Sequence, residues 1–296
     1  MINTKMESPL CLVDGFSYLF RSFFGTPSLK NANGEPIGAI FGMAERLKRL
    51  LATHRSKRWA VVFDAPGATF RDNLYPSYKA NRESTPSEFV AQINPTYLLV
   101  RAMGFPVLVI PGVEADDVIA TLATRAREKG IPTRIFSADK DFAQLVDDYV
   151  VLIDTAKNTS LDRPGVFAKF GVFPEQIVDY LALVGDSSDN VPGVFGVGPK
   201  TAAKWLGEYG SLDKILLQSK KIKGKVGEQL RASVHQFPLT RKLLTLHKEV
   251  SLPVSCDELK LKIPDPKVLE NLLNQLGFQS WLAAQGNQMK SGELIF

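Results

Sequence analysis

Acidic residues follow apolar runs at five places along the chain, and their type and spacing suit metal-assisted chemistry. They are Asp14 after LCLV, Asp64 after AVVF, and three groups: Glu114, Asp116 and Asp117; Asp139 and Asp141; Asp186 and Asp189. Apolar runs of this length predict buried strands of a parallel sheet, except the run before Asp186, which predicts a helix. Because open α/β sheets place their sites at the carboxyl ends of strands, we expect these carboxylates to share one crevice.

Such a group of carboxylates requires cations. Two carboxylates 4 Å apart repel each other by about 4 kcal/mol in a protein-like dielectric. Hard divalent ions that prefer oxygen ligands, such as Mg²⁺, are the natural partners. Single acids have simpler explanations, since Asp116 and Asp117 suit a helix N-terminus and Asp139 suits a helix cap. Capping does not need two or three carboxylates within one turn at three places, so the joint pattern favours metal binding.

The nucleophile is expected to be water. His54, His235 and His247 do not adjoin the acidic groups, which disfavours a histidine general base. The sequence also lacks the Gly-x-Ser-x-Gly elbow of the α/β hydrolases. A pair of ions about 3.5–4 Å apart would activate water and stabilise both oxygens in phosphoryl chemistry.

A glycine-rich segment, VPGVFGVGPKT over residues 191–201, follows the last acidic group. Pro199 interrupts the Gly-Lys-Thr of a P-loop, and the segment does not follow a strand, which disfavours a nucleotide-binding loop. A hairpin between two helices is favoured, with Pro199 in the first turn of the second helix. Its glycines would let backbone amides approach a phosphate, and Lys200 and Lys204 add positive charge. A plain helix–turn–helix connection remains the alternative.

The charge distribution favours a polyanionic substrate. The 296 residues include 36 Lys and Arg against 31 Asp and Glu, a net charge of +5. Residues 200–250 hold 11 basic residues against 4 acids, so this segment carries +7 and the remainder −2. A basic surface beside an acidic crevice fits a nucleic acid that is held in one place and cut in another. A solvated basic face is the alternative.

The connection between Asp64 and Pro106 is unusually long and interleaves basic with aromatic residues, among them Arg71, Lys79 and Arg82. Cations with aromatic side chains suit single-stranded nucleic acid, whose bases stack on aromatic rings. A helical pair that covers the sheet would explain the aromatic residues equally well.

The organisation predicted from the pattern is α/β followed by helices. Strands are expected at 10–13, 59–63, 106–110, 132–136 and 149–153, with helices between them at 37–52 and 115–129. Helices alone are expected from about residue 172: 174–184, 199–207, 211–217, 225–234, 238–247 and 266–275. The last ten residues are expected to form a loose tail. Two separated cysteines and the lack of a long apolar run or signal peptide favour a cytoplasmic protein without a membrane span.

Five segments, in the same order, closely resemble the 5′-nuclease family, which includes flap endonucleases, phage 5′ nucleases and the N-terminal domain of bacterial DNA polymerase I. They are LVDGFSYLFRSF, VVFDAPGATFRDNLYPSYKANR, GVEADDVIATLA, SADKDFAQLV and GDSSDNVPGVFGVGPKTAAKWL. The resemblance implies a PIN-like, mostly parallel sheet flanked by helices over 1–171, with a helical arch at about 70–102. It also implies a helical DNA-binding domain over 172–296, with a helix-three-turn-helix motif of the helix-hairpin-helix type at about 183–207.

The resemblance also implies roles for individual residues. The family's metal-binding acids match Asp14, Asp64, Glu114, Asp116, Asp117, Asp139, Asp141, Asp186 and Asp189, which would hold two Mg²⁺ or Mn²⁺ ions. The first six of these acids, with Lys79 and Arg82, would be catalytic. The residues expected to bind DNA are Tyr18, Arg21, Arg71, Lys79, Arg82, Gly193, Gly196, Gly198, Lys200, Thr201 and Lys204. Relatives often hold a K⁺ ion with backbone oxygens of the helix-three-turn-helix motif.

The function implied is a structure-specific 5′ nuclease that acts as a 5′-3′ exonuclease and a 5′-flap endonuclease. Its substrates would be flapped, nicked or overhanging duplex DNA and RNA–DNA hybrid primers, in replication and repair. We expect a monomer, cytoplasmic and associated with the nucleoid, that works with a DNA polymerase domain in cis or in trans. The alternatives are a PIN-type ribonuclease, which shares the acidic core, and a non-catalytic module that binds duplex DNA.

Overall fold

The computed structural model describes residues 8–26 and 29–283, so the predicted loose tail lies outside the described residues. The strands are β1 (Leu10–Asp14), β2 (Arg58–Asp64), β3 (Val107–Ile110), β4 (Thr133–Phe136), β5 (Val150–Asp154) and β6 (Thr159–Leu161). The helices up to the middle of the chain are α1 (Gly15–Gly25), α2 (Gly38–Thr53), α3 (Phe70–Leu74), α4 (Ser87–Ala102), α5 (Ala115–Glu128) and α6 (Arg163–Phe170). The later helices are α7 (Ile177–Val184), α8 (Pro199–Tyr209), α9 (Leu212–Leu217), α10 (Gly224–Ala232), α11 (Phe237–Leu244) and α12 (Pro266–Leu276).

The chain folds into two compact units, each built from separate stretches of sequence. The first unit comprises the described parts of Met1–Asp64, Ser84–Ile110 and Leu252–Phe296. The second comprises Ala65–Glu83 and Pro111–Ser251.

The first unit contains three parallel strands in the order β3-β2-β1. All five residues of β1 are buried, which explains its nearly continuous apolar sequence. Helix α1 begins directly after β1, and Gly15 permits this close approach because a Cβ there would lie 2.4 Å from the Phe63 ring. Helix α1 packs against α2, and α2 packs against α4. The later segment joins this unit where the amide of Trp59 donates to the carbonyl of Leu259 at 3.0 Å.

The second unit combines three strands with a helical layer. Strands β4 and β5 are parallel, and β6 returns antiparallel to β5. Helix α5 precedes β4, as a βαβ pattern requires. Helix α7 packs against α8 and α11, and α8 packs against α9.

This architecture confirms the predicted fold class: a mostly parallel sheet flanked by helices, followed by a helical region. Five of the six strands among the described residues coincide with predicted apolar runs, whereas β6 was missed. The predicted hairpin between two helices is present, since α7 ends at Val184 and α8 begins at Pro199. No helix among the described residues is long and apolar enough to cross a membrane.

Candidate functional site

The acidic groups of the second unit stand at the ends of its regular elements. Glu114 is the N-cap of α5, and Asp116 and Asp117 lie in its first turn, where negative charges interact favourably with the helix dipole. Asp139 follows β4, and Asp141 begins a short 3-10 helix, Asp141–Leu145. Asp186 and Asp189 lie in the turn that follows α7. The strand and helix ends therefore supply the acids, as the sequence predicted.

Asp141, Asp186 and Asp189 form a carboxylate cluster. One oxygen of each lies within 4.8 Å of the other two. Burial, with the negative charges of Asp139 and Asp186 nearby, raises the pKa of Asp141 well above its usual value. Its Oδ1 is buried and has no hydrogen-bond partner among the described residues. Three converging carboxylates with one unsatisfied oxygen fit a hard divalent cation.

Two basic side chains compensate the cluster from either side. The ammonium of Lys140 lies 2.8 Å from Asp186 Oδ1. Burial would raise the pKa of Asp186, but hydrogen bonds from Lys140 and Ser188 hold it below its usual value. Arg82 donates from NH2 to Asp189 Oδ1 at 2.8 Å.

Glu114 and Asp189 are joined by Tyr78 and Lys79. The Tyr78 hydroxyl lies 2.8 Å from Asp189 Oδ2 and 3.1 Å from Glu114 Oε2, so its single proton is shared between the two carboxylates. The Lys79 ammonium pairs with Glu114 and lies 3.7 Å from Asp189 Oδ2. Burial would lower the pKa of Lys79, but the charges of Glu114 and Asp189 raise it, so the ammonium is charged at neutral pH. Tyr78, one of the aromatic residues of the long connection, is buried against two carboxylates.

Backbone contacts fix this segment to the acidic turn. The Lys79 amide donates to the carbonyl of Asp189 at 3.0 Å, and Asn190 Nδ2 donates to the carbonyl of Ser77 at 2.7 Å. Asn81 Nδ2 donates to the carbonyl of Ser187 at 2.7 Å. Lys79 and Asn190 adopt left-handed φ values of 54° and 56°. Such a conformation costs roughly 1–3 kcal/mol at a non-glycine residue and is typical of functional sites.

Arg71 and Asp117 form a buried ion pair. Arg71 is 1% exposed and Asp117 is fully buried. The guanidinium donates to Asp117 Oδ1 at 2.8 Å and to Asp117 Oδ2 at 2.7 Å, and it also donates to Glu114 Oε2 at 2.9 Å. The amide of His247 donates to Asp117 Oδ1 at 2.8 Å. Burial would lower the pKa of Arg71, but its hydrogen bond to Asp117 raises it, so the guanidinium is charged.

In the first unit, Asp14 and Asp64 end the neighbouring parallel strands β1 and β2. Asp14 is buried and accepts a hydrogen bond from the Ser17 amide at 3.1 Å, at the start of α1. Burial and the charge of Asp64 raise the pKa of Tyr97 to about 12. Both aspartates thus lie at the predicted carboxyl edge of these strands.

The two residues of α1 that were expected to bind DNA contact each other. Tyr18 is 1% exposed, and the Arg21 guanidinium carbon lies 5.6 Å from the centre of its ring. This is a cation–π distance. The Tyr18 ring is therefore part of the core, while Arg21 is half-buried at its edge.

The glycine-rich hairpin connects α7 to α8 directly beside the acidic turn. Asp186 and Val191 exchange backbone hydrogen bonds, each at 2.8 Å. Gly193 lies against Gly185, where any Cβ would meet backbone atoms at 2.3 Å. Gly198 is the N-cap of α8, and its carbonyl accepts from the amides of Thr201 and Ala202, each at 3.0 Å. The residues predicted to bind phosphates follow one another along the chain, from Gly196 in the hairpin to the first turns of α8. On α8, Lys200 and Lys204 are exposed and Thr201 is half-buried.

Lys140 is a candidate site residue that sequence reasoning did not single out. Its signal was its position between Asp139 and Asp141, which places a cation within the acidic motif. Burial raises the pKa of Asp139, and the charge of Lys140 opposes this effect.

Comparison with known proteins gives two family models that together match most of the chain. One is described as "5′-3′ exonuclease, N-terminal resolvase-like domain" and matches residues 9–171. The other is described as "5′-3′ exonuclease, C-terminal SAM fold" and matches residues 172–267.

Curated relatives are found in several bacteria. A 5′-3′ exonuclease of Aquifex aeolicus is 41% identical over 273 residues, which are 92% of this chain and 93% of that protein. DNA polymerase I of Pseudomonas aeruginosa is 43% identical over 286 residues, which are 93% of this chain but 31% of the polymerase. The chain therefore spans about a third of the length of that polymerase.

Solved structures share the fold. The structure described as "Divalent metal ions (zinc) bound to T5 5′-exonuclease" has a TM-score of 0.71 and 22% identity, and the match covers 90% of this chain and 98% of that one. The catalytic core of Rad2 in complex with a DNA substrate has a TM-score of 0.62 and 18% identity, over 92% and 88% of the two chains.

Proposed function

The chain belongs to the 5′-3′ exonuclease family, and from this premise we propose that it is a structure-specific, metal-dependent 5′ nuclease. It would act as a 5′-3′ exonuclease and as a 5′-flap endonuclease on the phosphodiesters of DNA. The motif resemblance stated from the sequence is thereby confirmed. The observation that carries the proposal is the cluster of Asp141, Asp186 and Asp189, in which one buried carboxylate oxygen has no hydrogen-bond partner among the described residues.

We propose that this cluster helps to hold two divalent ions, Mg²⁺ or Mn²⁺. Ions of this kind, when bound, stabilise the charge of a phosphodiester and lower the pKa of an attacking water. Glu114, Asp116, Asp139, Asp14 and Asp64 remain proposed ligands on the strength of the motifs. A K⁺ ion at the hairpin remains part of the proposal and rests on the family resemblance alone.

Asp117 has a different set of contacts from the clustered acids. Both of its oxygens accept hydrogen bonds from Arg71, and Oδ1 also accepts from the His247 amide. These contacts favour a positioning role, in which Asp117 and Arg71 hold the carboxylate of Glu114 in place. The sequence-based roles of Asp117 as a metal ligand and of Arg71 as a DNA contact stay predictions.

The basic side chains beside the cluster would bind the substrate. We propose that Lys79, Arg82 and Lys140 face the phosphodiester and stabilise the negative charge that develops during hydrolysis. Their partners are carboxylates of the same site, which supports this role. The arch expected at about 70–102 would hold the single-stranded 5′ end, and the glycine hairpin would hold the backbone of the duplex.

The cellular role that we propose is removal of RNA primers and DNA flaps in replication and repair. Flapped, nicked or overhanging duplexes would be substrates, together with RNA–DNA hybrid primers. Relatives named DNA polymerase I contain the matched region within a longer chain, which supports a DNA polymerase domain as a partner in cis or in trans. We propose a monomer that works in the cytoplasm at the nucleoid, where such substrates occur.

A cleavage assay tests the proposal. The substrate is a duplex with a labelled 5′ flap in the presence of Mg²⁺, and the variant is Asp141→Asn. Cleavage should fall by about 100-fold or more, the scale on which loss of one electrostatic contact lowers kcat. Binding of Mn²⁺, measured by calorimetry, should weaken in parallel. Asp148→Asn is the matched control because Asp148 is exposed and lies outside the cluster.

Three outcomes would contradict the proposal. Equal cleavage by wild type and Asp141→Asn would exclude the cluster from the reaction. Preference for single-stranded RNA over flapped DNA would favour a PIN-type ribonuclease. Duplex binding without metal-dependent cleavage would indicate a non-catalytic DNA-binding module.

A further inference from the structure

The tip of the glycine hairpin presents an aromatic ring to solvent. Phe195 is 78% exposed, whereas its neighbours Val194 and Val197 are 3% and 5% exposed. The amide of Val197 donates to the carbonyl of Val194 at 3.0 Å, so Phe195 and Gly196 are the central residues of a tight turn. Gly196 has a φ of +81°, as the third residue of a type II turn requires. The turn geometry thus directs one large apolar side chain outward.

The hairpin that carries this ring is firmly anchored. The Val194 amide donates to the carbonyl of Leu183 in α7 at 2.8 Å. Gly193 is in van der Waals contact with Gly185 without room for a side chain, and its carbonyl accepts from Gln236 Nε2 at 3.3 Å. The hydrogen bonds on both sides of the turn therefore hold Phe195 in its exposed position.

The two helices next to this turn, α8 and α10, carry exposed lysines near their first residues. Exposed Lys200 and Lys204 follow the turn on α8. The turn also approaches the start of α10, since a Cβ on Gly196 would lie 3.8 Å from Val226 Cγ2. Exposed Lys223 and Lys225 flank the first residue of α10.

Phe24 is also aromatic and 69% exposed, but its ring packs against the Phe23 ring, with centroids 5.3 Å apart. Leu217 is 80% exposed and Ile263 is 84% exposed, but both are aliphatic, and single apolar residues on a surface are common. Phe195 unites an aromatic ring, a rigid turn and neighbouring helices that carry exposed lysines. A partner that matches it must be a polyanion that also offers an apolar surface, and duplex DNA meets both conditions through its phosphates and its base edges.

We propose that Phe195 enters the minor groove of the bound duplex and partly unstacks one base step, while the lysines of α8 and α10 contact phosphates. Aromatic and aliphatic wedges of this kind open base steps in the minor groove, and the cost is offset by a larger contact surface. The wedge would add an anchor inside the groove to the backbone contacts, which set the register of the protein on the duplex. This inference rests on the proposed function, because it requires that the hairpin binds duplex DNA.

The test uses the full chain with a 5′-flap duplex in EDTA, so that binding is measured without cleavage. Phe195→Ala should raise Kd by about 10-fold, within the range measured for loss of one aromatic–base contact. The slope of log Kd against log salt should stay unchanged, because no phosphate contact is lost. Leu217→Ala, which removes a side chain of equal exposure from the same unit, should bind as the wild type does.

A fluorescent base gives a readout that a general surface effect would not change. With 2-aminopurine placed at successive duplex positions, the wild type should increase fluorescence at one step, Phe195→Trp should retain the increase and Phe195→Ala should lose it. Thermal unfolding checks that each variant is folded. An unchanged Kd for Phe195→Ala, a reduced salt slope or the absence of any 2-aminopurine signal would overturn the wedge. Metal-dependent flap cleavage by the wild type in the same preparation would show that the proposed function stands even then.

Discussion

Replacement of Arg71 should destabilise the second unit strongly, because all five of its N–H groups are used inside the protein. Nε donates to the carbonyl of Leu243 at 2.8 Å, and NH2 donates to the carbonyl of Thr245 at 3.1 Å. The other donors are directed to Glu114 and to both oxygens of Asp117. An arginine has five N–H donors and no acceptor, so the guanidinium is completely satisfied.

The expected magnitude follows from what Arg71→Met leaves behind. Asp117 is fully buried and would keep only the His247 amide as a partner. Removal of one member of a buried ion pair costs about 3–5 kcal/mol, a large part of the roughly 5–15 kcal/mol that stabilises a typical domain. Arg82→Met is the matched control, because the Arg82 side chain is 55% exposed and an exposed pair contributes about 0–1 kcal/mol. Arg71→Lys should also lower the free energy of unfolding, since a lysine cannot make five directed hydrogen bonds.

Urea unfolding followed by circular dichroism at neutral pH measures these differences. Arg71→Met, Asp117→Asn and the double variant form a cycle that isolates the coupling between the two side chains. We expect a coupling of at least about 1 kcal/mol and a small effect of Arg82→Met, within the range for neighbouring charged groups. If Arg71→Met and Arg82→Met cost the same, or if the two single changes simply add, the buried pair does not hold this region together.

Two further predictions concern the hairpin and a surface ion pair. Gly193→Ala should lower the free energy of unfolding by about 1–3 kcal/mol, because its Cβ would lie 2.3 Å from the amide nitrogen of Gly185. Gly198→Ala is the control: its Cβ would meet nothing within 4 Å, so the urea midpoint should stay nearly unchanged. Carbon-13 NMR titration should show a pKa of Glu175 below its ordinary value of 4.5, because its carboxylate accepts from Arg163, and Arg163→Gln should restore the ordinary value. Because the pKa of Glu175 is lower in the folded state, its pair with Arg163 stabilises the fold fully at pH values above the unfolded-state pKa, and this stabilisation is lost as pH falls through the folded-state pKa. Equal titration curves of Glu175 in the wild type and in Arg163→Gln would contradict the assignment.

The sequence predicted the parallel strands well because their burial on both faces produces nearly continuous apolar runs. The fully buried β1 is the clearest case. Strand β6 escaped prediction because it has only three residues, Thr159–Leu161, of which the first two are exposed. A short polar strand at the end of a hairpin carries neither a run nor an alternation long enough to detect.

The sequence indicated which acidic residues belong to the candidate site, but not which side chains form ion pairs and hydrogen bonds there. Each acidic group could be found from its position after an apolar run, because strand ends meet at one edge of a sheet. The partners of Arg71 lie 46 residues away at Asp117 and 172 residues away at Leu243, and no local pattern links such positions. The sequence therefore predicted a DNA-binding role for Arg71 but none of these partners within the protein.

The energetics of the acidic cluster favour a functional origin over a structural one. Burial and the negative charges of neighbouring aspartates raise the pKa values of Asp139 and Asp141, so their charged forms are disfavoured by the fold. The charge of Lys140 offsets part of this cost, and Lys79 pairs with Glu114 and Asp189 from a strained left-handed backbone conformation. A site shaped by stability alone would be more stable with apolar or amide side chains at these positions. Since the chain combines repelling acids with a strained cation in one place, binding of metal ions and a phosphate explains the arrangement better than folding does.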